Sequence, residues 1–169
     1  LDCAKAGVGG LMMYASGFSE TGRAEDIAAQ IRLADIGRNA GMRIVGPNCI
    51  GMLNFASKAG VTFMIPPPME APLPHALGLV SQSGALGFSL AQSVMRGVSV
   101  SHLLTTGNSS DIDVADCVSF LADDPACRAI ACVFEGMPDP MRFIEAAQIA
   151  DAADKPLIVF KLGTGEQGA

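Results

Sequence analysis

Ser83 and Gly84 stand where the apolar stretch Leu77–Ser81 gives way to the spacing of an amphipathic helix, and that junction is suited to holding an anion. The first amides of a helix have no intrahelical partner and lie at its positive end. A phosphate placed there gains hydrogen bonds and about half a unit of opposing charge. Ser83 is positioned to cap the helix, and Gly84, without a side chain, lets an anion approach the backbone. The same pair also suits an ordinary helix cap in any α/β protein, so residues 80–87 alone leave both readings open. Other reactive side chains offer less. Cys49 has no His or Lys beside it to draw out a thiolate, so a small packing residue is favoured over a covalent nucleophile. His75 falls in a proline-rich stretch, and His102 falls within a predicted strand, where a hydrogen-bonded structural histidine is expected. The five cysteines show no paired zinc spacing, and no metal site is expected.

The elements that must position these groups follow from periodicity and punctuation. Residues 8–15 read as a buried strand, followed by the loop Ser16-Gly17-Phe18-Ser19-Glu20-Thr21-Gly22. A helix is predicted over residues 24–40, with Ile27, Ile31 and Ala34 at helical spacing and a stop at Asn39-Ala40-Gly41. Ile44 and Val45 form a short strand ending at Gly46-Pro47-Asn48-Cys49-Ile50-Gly51. The prolines between Ile65 and Pro74 sustain neither helix nor central strand, which places a linker at 65–76 between a lobe at 1–64 and a domain at 77–169. Beyond it come the strand Leu77–Ser81, a helix at 84–96, a strand at 99–105 and a helix whose face carries Val114, Cys117, Val118 and Leu121. The strand Ala129–Phe134 follows, then a helix capped by Asp139 with Pro140 at its first position, then the strand Leu157–Lys161. Strands alternating with helices predict an α/β fold with a doubly wound parallel sheet, whose ligands belong at the carboxyl ends of its strands.

Composition narrows the class of partner. The chain has 169 residues, 50% hydrophobic and 17% charged, enough for one α/β domain or two small lobes and too apolar for disorder. A net charge of −6, with no basic patch interleaved with aromatics, disfavours nucleic acid. No apolar run reaches the roughly 20 residues that span a bilayer, and no signal-like start is present, so a cytoplasmic protein away from membranes is expected. Leu1 in place of methionine, and an end just after a predicted strand, read as an internal piece of a longer chain.

The motifs, taken in order, resemble the NDP-forming acyl-CoA synthetases, the superfamily that includes the succinyl-CoA synthetase α-subunit and the ADP-forming acid–CoA ligases. The resemblance is carried by Gly17-Phe18-Ser19-Glu20-Thr21-Gly22, Gly46-Pro47-Asn48-Cys49-Ile50-Gly51, Ser81-Gln82-Ser83-Gly84-Ala85, Gly107-Asn108, Phe134-Glu135-Gly136 and Lys155-Pro156 leading to Phe160-Lys161-Leu162-Gly163. It implies a partial Rossmann-like CoA-binding lobe followed by a flavodoxin-like domain. It implies a reaction joining a carboxylic acid to CoA at the expense of ATP or GTP, through an acyl phosphate and a phosphohistidine. Ser83, Gly84 and Ala85 then hold the phosphate. Glu135 supports the catalytic histidine, as a carboxylate accepting one imidazole N–H makes the other nitrogen more nucleophilic. Asn48 and Cys49 line the thioester and acyl-phosphate site, while Gly17, Phe18, Glu20 and Pro47 lie toward CoA. On sequence alone Glu20 is equally a first-turn helix acid.

The resemblance also implies absences. The family's glycine-rich CoA loop belongs upstream of Leu1, and its catalytic histidine belongs beyond Ala169; neither His75 nor His102 stands in for it. Weak CoA binding and no turnover are expected of these residues alone. Nucleotide (ADP/ATP or GDP/GTP) and Mg belong to an ATP-grasp partner outside the chain, and a homo-oligomer is compatible with the family. A CoA-binding regulatory module fused to an acetyltransferase is the alternative. A flavin binder is disfavoured, since a chain without Trp and with one Tyr offers few stacking partners. Met52, Phe55, Phe63 and Met64 suggest an apolar wall for the acyl group, or else core.

Overall fold

The computed structural model describes residues 1–137 and 139–163. A short helix α1 (Asp2–Lys5) leads into β1 (Gly10–Met12), α2 (Ala24–Asn39), β2 (Arg43–Val45), β3 (Gly51–Asn54) and β4 (Ala59–Thr62). After residues 65–76, which form neither helix nor strand, come β5 (Leu77–Ser81), α3 (Gly84–Ala91), β6 (Val100–Thr105), α4 (Val114–Asp123), β7 (Ala129–Phe134), α5 (Pro140–Ala152) and β8 (Leu157–Lys161).

Two sheets result. β1 and β2 pair in parallel, and six strands form a second sheet in the order β4-β3-β6-β5-β7-β8. Strands β6, β5, β7 and β8 are parallel, as expected of right-handed crossovers, but β3 runs antiparallel to both β4 and β6. The doubly wound parallel sheet therefore carries an antiparallel hairpin at one edge. Strands joined by a short connection can pair only antiparallel, since a parallel pair needs a crossover of a dozen residues or more. This hairpin precedes the proline-rich segment and yet belongs to the sheet that follows it, so sheet membership crosses residues 65–76.

Burial explains the strand sequences. All six residues of β6 are buried, and β5 is buried from Gly78 onward, which suits central strands covered on both faces. On one face Val114, Val118 and Leu121 of α4 and Ala146 and Ala150 of α5 pack with Ile130, Cys132 and Phe134 of β7. On the other, Ala91 of α3 joins Leu53, Phe55, Leu79, Val100 and Leu103. α4 begins in a capping box, in which Asp113 accepts from the Ala115 and Asp116 amides while the Asp116 carboxylate accepts from the Asp113 amide. It ends on Lys155, a buried ammonium that donates to the carbonyls of Leu121 (2.9 Å) and Asp124 (2.6 Å). As predicted, α5 starts at Asp139, whose carboxylate accepts from the Met141 amide, with Pro140 in its first turn.

Four expectations need correction. The strand predicted over 8–15 is only Gly10–Met12, half-buried, because its one described neighbour is β2. Ile27 and Ile31 of α2 face outward at 40% and 58% exposure, since a two-stranded sheet is too narrow to cover a whole helical stripe. The helix predicted to Arg96 is α-helical only to Ala91 and tightens into a 3-10 turn over Gln92–Arg96. His102 is buried in β6 as foreseen, but neither ring nitrogen has a hydrogen-bond partner. Its Nε2 lies 3.7 Å from Asp124 Oδ2, its ring meets Phe120 edge to face, and burial holds its pKa below the ordinary value despite the pull of Asp124.

The small sheet is fastened to the large one by polar contacts. Asp111 accepts from the Arg43 guanidinium (2.9 Å) and the Ile44 amide, and the Ile112 amide donates to the Ile44 carbonyl. Arg142 joins Asp113 and Asp116 at the head of α4.

Candidate functional site

The glycine-containing loops singled out in the sequence meet at the carboxyl ends of β2, β5, β6, β7 and β8. Ser83, extended at the end of β5, caps α3 by accepting the Leu86 amide at 3.4 Å, and its own carbonyl accepts from Ser81 Oγ at 2.6 Å. Gly84 has a reason beyond anion approach: a Cβ there would lie 2.7 Å from Ile50, so glycine lets the first turn of α3 touch the loop at 46–51. Ala85 is exposed in that first turn.

Gln82 joins this turn to Glu135. Its Oε1 accepts from the amides of Glu135 (2.8 Å) and Gly136 (3.2 Å), and its Nε2 donates to the Gly136 carbonyl (3.0 Å). Glu135 is exposed at the end of β7, its amide held by Gln82, the residue directly before the cap of α3. Lys161, at the end of β8, donates from Nζ to the Glu135 carbonyl (3.0 Å) and the Gly163 carbonyl (2.7 Å). Gln82 and Lys161 belong to the sequence motifs, which assign neither of them a role. The signal for Gln82 was a long amide side chain directly before a helix cap, in reach of a neighbouring strand end.

Asn48 lies across from these groups in a left-handed conformation (φ 57°), its amide held by the Ala15 carbonyl at 2.9 Å. Its Nδ2 donates to Asn108 Oδ1 at 3.2 Å. Pro47 is buried, and its carbonyl accepts from the Asn108 amide at 2.9 Å. Gly107 permits this approach, because it takes a positive φ and any Cβ there would run into the Pro47 carbonyl. Cys49, grouped with Asn48 by resemblance, is only 1% exposed; its thiol donates to the Met13 carbonyl, and burial raises its pKa. That raised pKa makes it a poor source of thiolate. Cys117 and Cys132 are likewise buried, the latter thiol pushed up to about 12 by desolvation.

Glu20 is a first-turn acid, of the 3-10 turn Ser19–Thr21 and not of α2, whose first turn carries Glu25 and Asp26. It sits in the 3-10 turn Ser19–Thr21 and accepts from the amides of Gly17 and Phe18 and from Asn108 Nδ2. Desolvation opposes its charge, but those hydrogen bonds outweigh it and lower its pKa. The four apolar candidates do not share one wall. Met52 packs toward α4 and α5, Phe55 is core on the opposite face, and Phe63 and Met64 are exposed. His75 is exposed and His102 buried away from these loops. Among the described residues no three His, Cys, Asp or Glu are grouped to hold a metal, and no helix is long and apolar enough to cross a membrane.

Residues 74–169 match the family described as the succinyl-CoA ligase like flavodoxin domain. The chain belongs to this family. Individual relatives extend the match to the first lobe. The α-subunit of the ADP-forming acetate–CoA ligase I of Pyrococcus furiosus is 38% identical over 169 residues, covering 99% of this chain and 35% of that protein. A trans-feruloyl-CoA synthase of an unknown prokaryotic organism is 39% identical over 165 residues, covering 95% of this chain and 23% of the relative. Among solved structures, the dinucleotide-forming acetyl-coenzyme A synthetase 1 of Ca. Korarchaeum cryptofilum superposes with a TM-score of 0.85 at 34% identity, over 99% of this chain and 36% of that one, and a second structure of it holds phosphate and ADP. This chain thus spans about a third of the length of the acetate–CoA ligase subunit.

Proposed function

We propose that these residues are the central part of an NDP-forming acid–CoA ligase, which joins a carboxylic acid to CoA while ATP or GTP is cleaved to NDP and phosphate. The observation that carries this reading is the convergence of Ser83, Glu135 and Asn48 on one end of the sheet, with Ile50 against Gly84 and Gln82 bridging to Glu135. The first-turn amides around Ser83, Gly84 and Ala85 supply fixed positive potential for a phosphoryl group. Glu135 is exposed and tied by its amide to Gln82, the residue before the α3 cap, so its carboxylate is suited to accept an imidazole N–H and fix which nitrogen receives the phosphoryl group. Asn48 offers an amide donor toward a thioester or acyl-phosphate oxygen.

In this scheme CoA supplies the thiol that displaces phosphate from the acyl phosphate, and the residues here hold and orient rather than form covalent bonds. The amides of Gly17 and Phe18 are occupied by Glu20, so the Glu20 turn shapes the CoA side as a folded loop rather than by presenting its carboxylate. The histidine that carries phosphate, the glycine-rich CoA loop and the ATP-grasp part with its Mg come from outside residues 1–169. The exposure of His75 in the proline-rich segment and the burial of His102 in β6 argue against either in that role. The isolated 169 residues are therefore expected not to turn over. A cytoplasmic setting fits the same chemistry.

The test is to incubate the complete protein and its ATP-grasp part with γ-labelled ATP. Acid-labile, base-stable label on the chain, discharged by carboxylic acid plus CoA with formation of a thioester, is expected. A folded, complete protein that binds CoA but neither takes up label nor makes thioester would overturn the ligase reading and leave a CoA-responsive module.

A further inference from the structure

Four segments distant in sequence are joined through one side chain that no reading above assigns. Asn108 Nδ2 donates to Glu20 Oε2 and to Gln30 Oε1 (2.9 Å), while its Oδ1 accepts from Asn48 Nδ2. Gln30 Oε1 also accepts from the amide and hydroxyl of Ser19, at 3.3 and 2.7 Å, which ties the Glu20 turn to α2. The amide of Asn108 is anchored on the Pro47 carbonyl, and the Ser110 amide and hydroxyl are both anchored on the Gly46 carbonyl. The polarity of this network runs one way. Asn108 gives both amide protons to the Glu20 side and takes one from Asn48, so its side-chain donors and acceptor are all engaged. Aspartate at this position would lose both donors and set a second carboxylate against Glu20.

We propose that Asn108 is a positioning residue, a latch from the large sheet that fixes the Glu20 turn and Asn48 relative to each other and so sets the CoA side of the site. The proposal rests on the ligase reading for the roles of those two loops. Asn108 hydrogen-bonds Glu20, Gln30 and Asn48 and not the cap of α3, so the latch acts on the thioester step more than on phosphate capture by α3.

The experiment uses the complete ligase with its ATP-grasp part, comparing N108A, N108D, E20Q and the double variant N108D/E20Q. In N108A, kcat/KM for CoA is expected to fall roughly tenfold, the scale of a lost hydrogen bond to a charged group, while labelling by γ-labelled ATP stays within twofold. N108D is expected to fall further. Adding E20Q restores a donor facing the new carboxylate and keeps Oε1 for the Gly17 amide, while the Phe18 amide loses its acceptor Oε2, so the double variant recovers part of the loss. Unchanged CoA kinetics in N108A, a parallel loss of labelling, or no recovery in the double variant overturns the latch. If the wild type shows neither labelling nor thioester, the ligase reading fails. The latch is then judged by hydrogen exchange at Gly17 and Phe18 in the complete protein. Exchange roughly tenfold faster in N108A, and slowed again at Gly17 in the double variant relative to N108D, supports it, and unchanged exchange overturns it.

Discussion

α2 and α4 both carry apolar residues at helical spacing, yet they meet different fates. α4 buries Val114, Ala115, Cys117, Val118, Leu121 and Ala122, whereas α2 buries only Gly37. The difference lies in what each helix is laid against. α4 crosses a six-stranded sheet with α5 at its side, and α2 leans on a sheet of two strands. Periodicity tells which face of a helix is apolar; the width of the opposing layer decides how much of that face leaves water. The narrow lobe is held by loops and polar links, among them Arg43 with Asp111 and Asn108 with Glu20, while the wide one is held by a packed interior.

The largest expected effect on this contrast comes from Leu121→Ala. A fully buried leucine in a well-packed cluster costs about 3 kcal/mol when truncated, and Ile31→Ala on α2 should cost less than about 0.5 kcal/mol. Urea unfolding of both variants measures the ratio, and equal losses would dissolve the distinction. Next comes Lys155→Met, which leaves the carbonyls of Leu121 and Asp124 without their donor and is expected to cost about 2 kcal/mol. Arg38→Ala, whose pair with Asp35 is exposed, is the matched control on α2, expected within about 0.5 kcal/mol.

A third measurement exploits pH. His102 titrates below its ordinary value in the folded state, so the unfolded chain binds the proton more readily. Its contribution is fully present above the unfolded value of about 6.5 and is lost as pH falls below it toward the depressed folded value. His102→Phe should flatten the acid limb of a stability profile recorded below pH ~6.5, and an unchanged limb would place the acid sensitivity elsewhere. Ser83→Ala is the smallest, about 0.5 kcal/mol of stability for a cap bond as long as 3.4 Å. A clear loss of phosphoryl labelling with so little loss of stability would separate a phosphate-holding cap from an ordinary one.

Legibility in the sequence followed the range of the interaction. Asp139 before Pro140, the apolar run of β5 and the face of α4 each announce themselves within a dozen residues, through caps, burial on both faces and helical period. The hairpin Gly51–Thr62 did not, because its strands are short and its turn at Ser57-Lys58 lacks a strong glycine signal, with Lys58 itself taking the left-handed conformation. Gly84 looked like a gap for an anion and proved also to be a contact with Ile50, which no neighbour in sequence could indicate. Cys49 has no base beside it in sequence, and its burial and its bond to the Met13 carbonyl come from the fold.

By itself the sequence determined the strands and helices other than the Gly51–Thr62 hairpin, the loops at their ends and the Ser83 cap of α3, because turn chemistry and periodicity act between near neighbours. Only the tertiary structure decided that Asn108 meets Glu20 across 88 residues, that Gln82 braces Glu135, and that His102 is buried without a hydrogen-bond partner. Such contacts depend on where the strand ends finally lie, and a hydrogen bond between distant segments leaves no periodic trace in either of them.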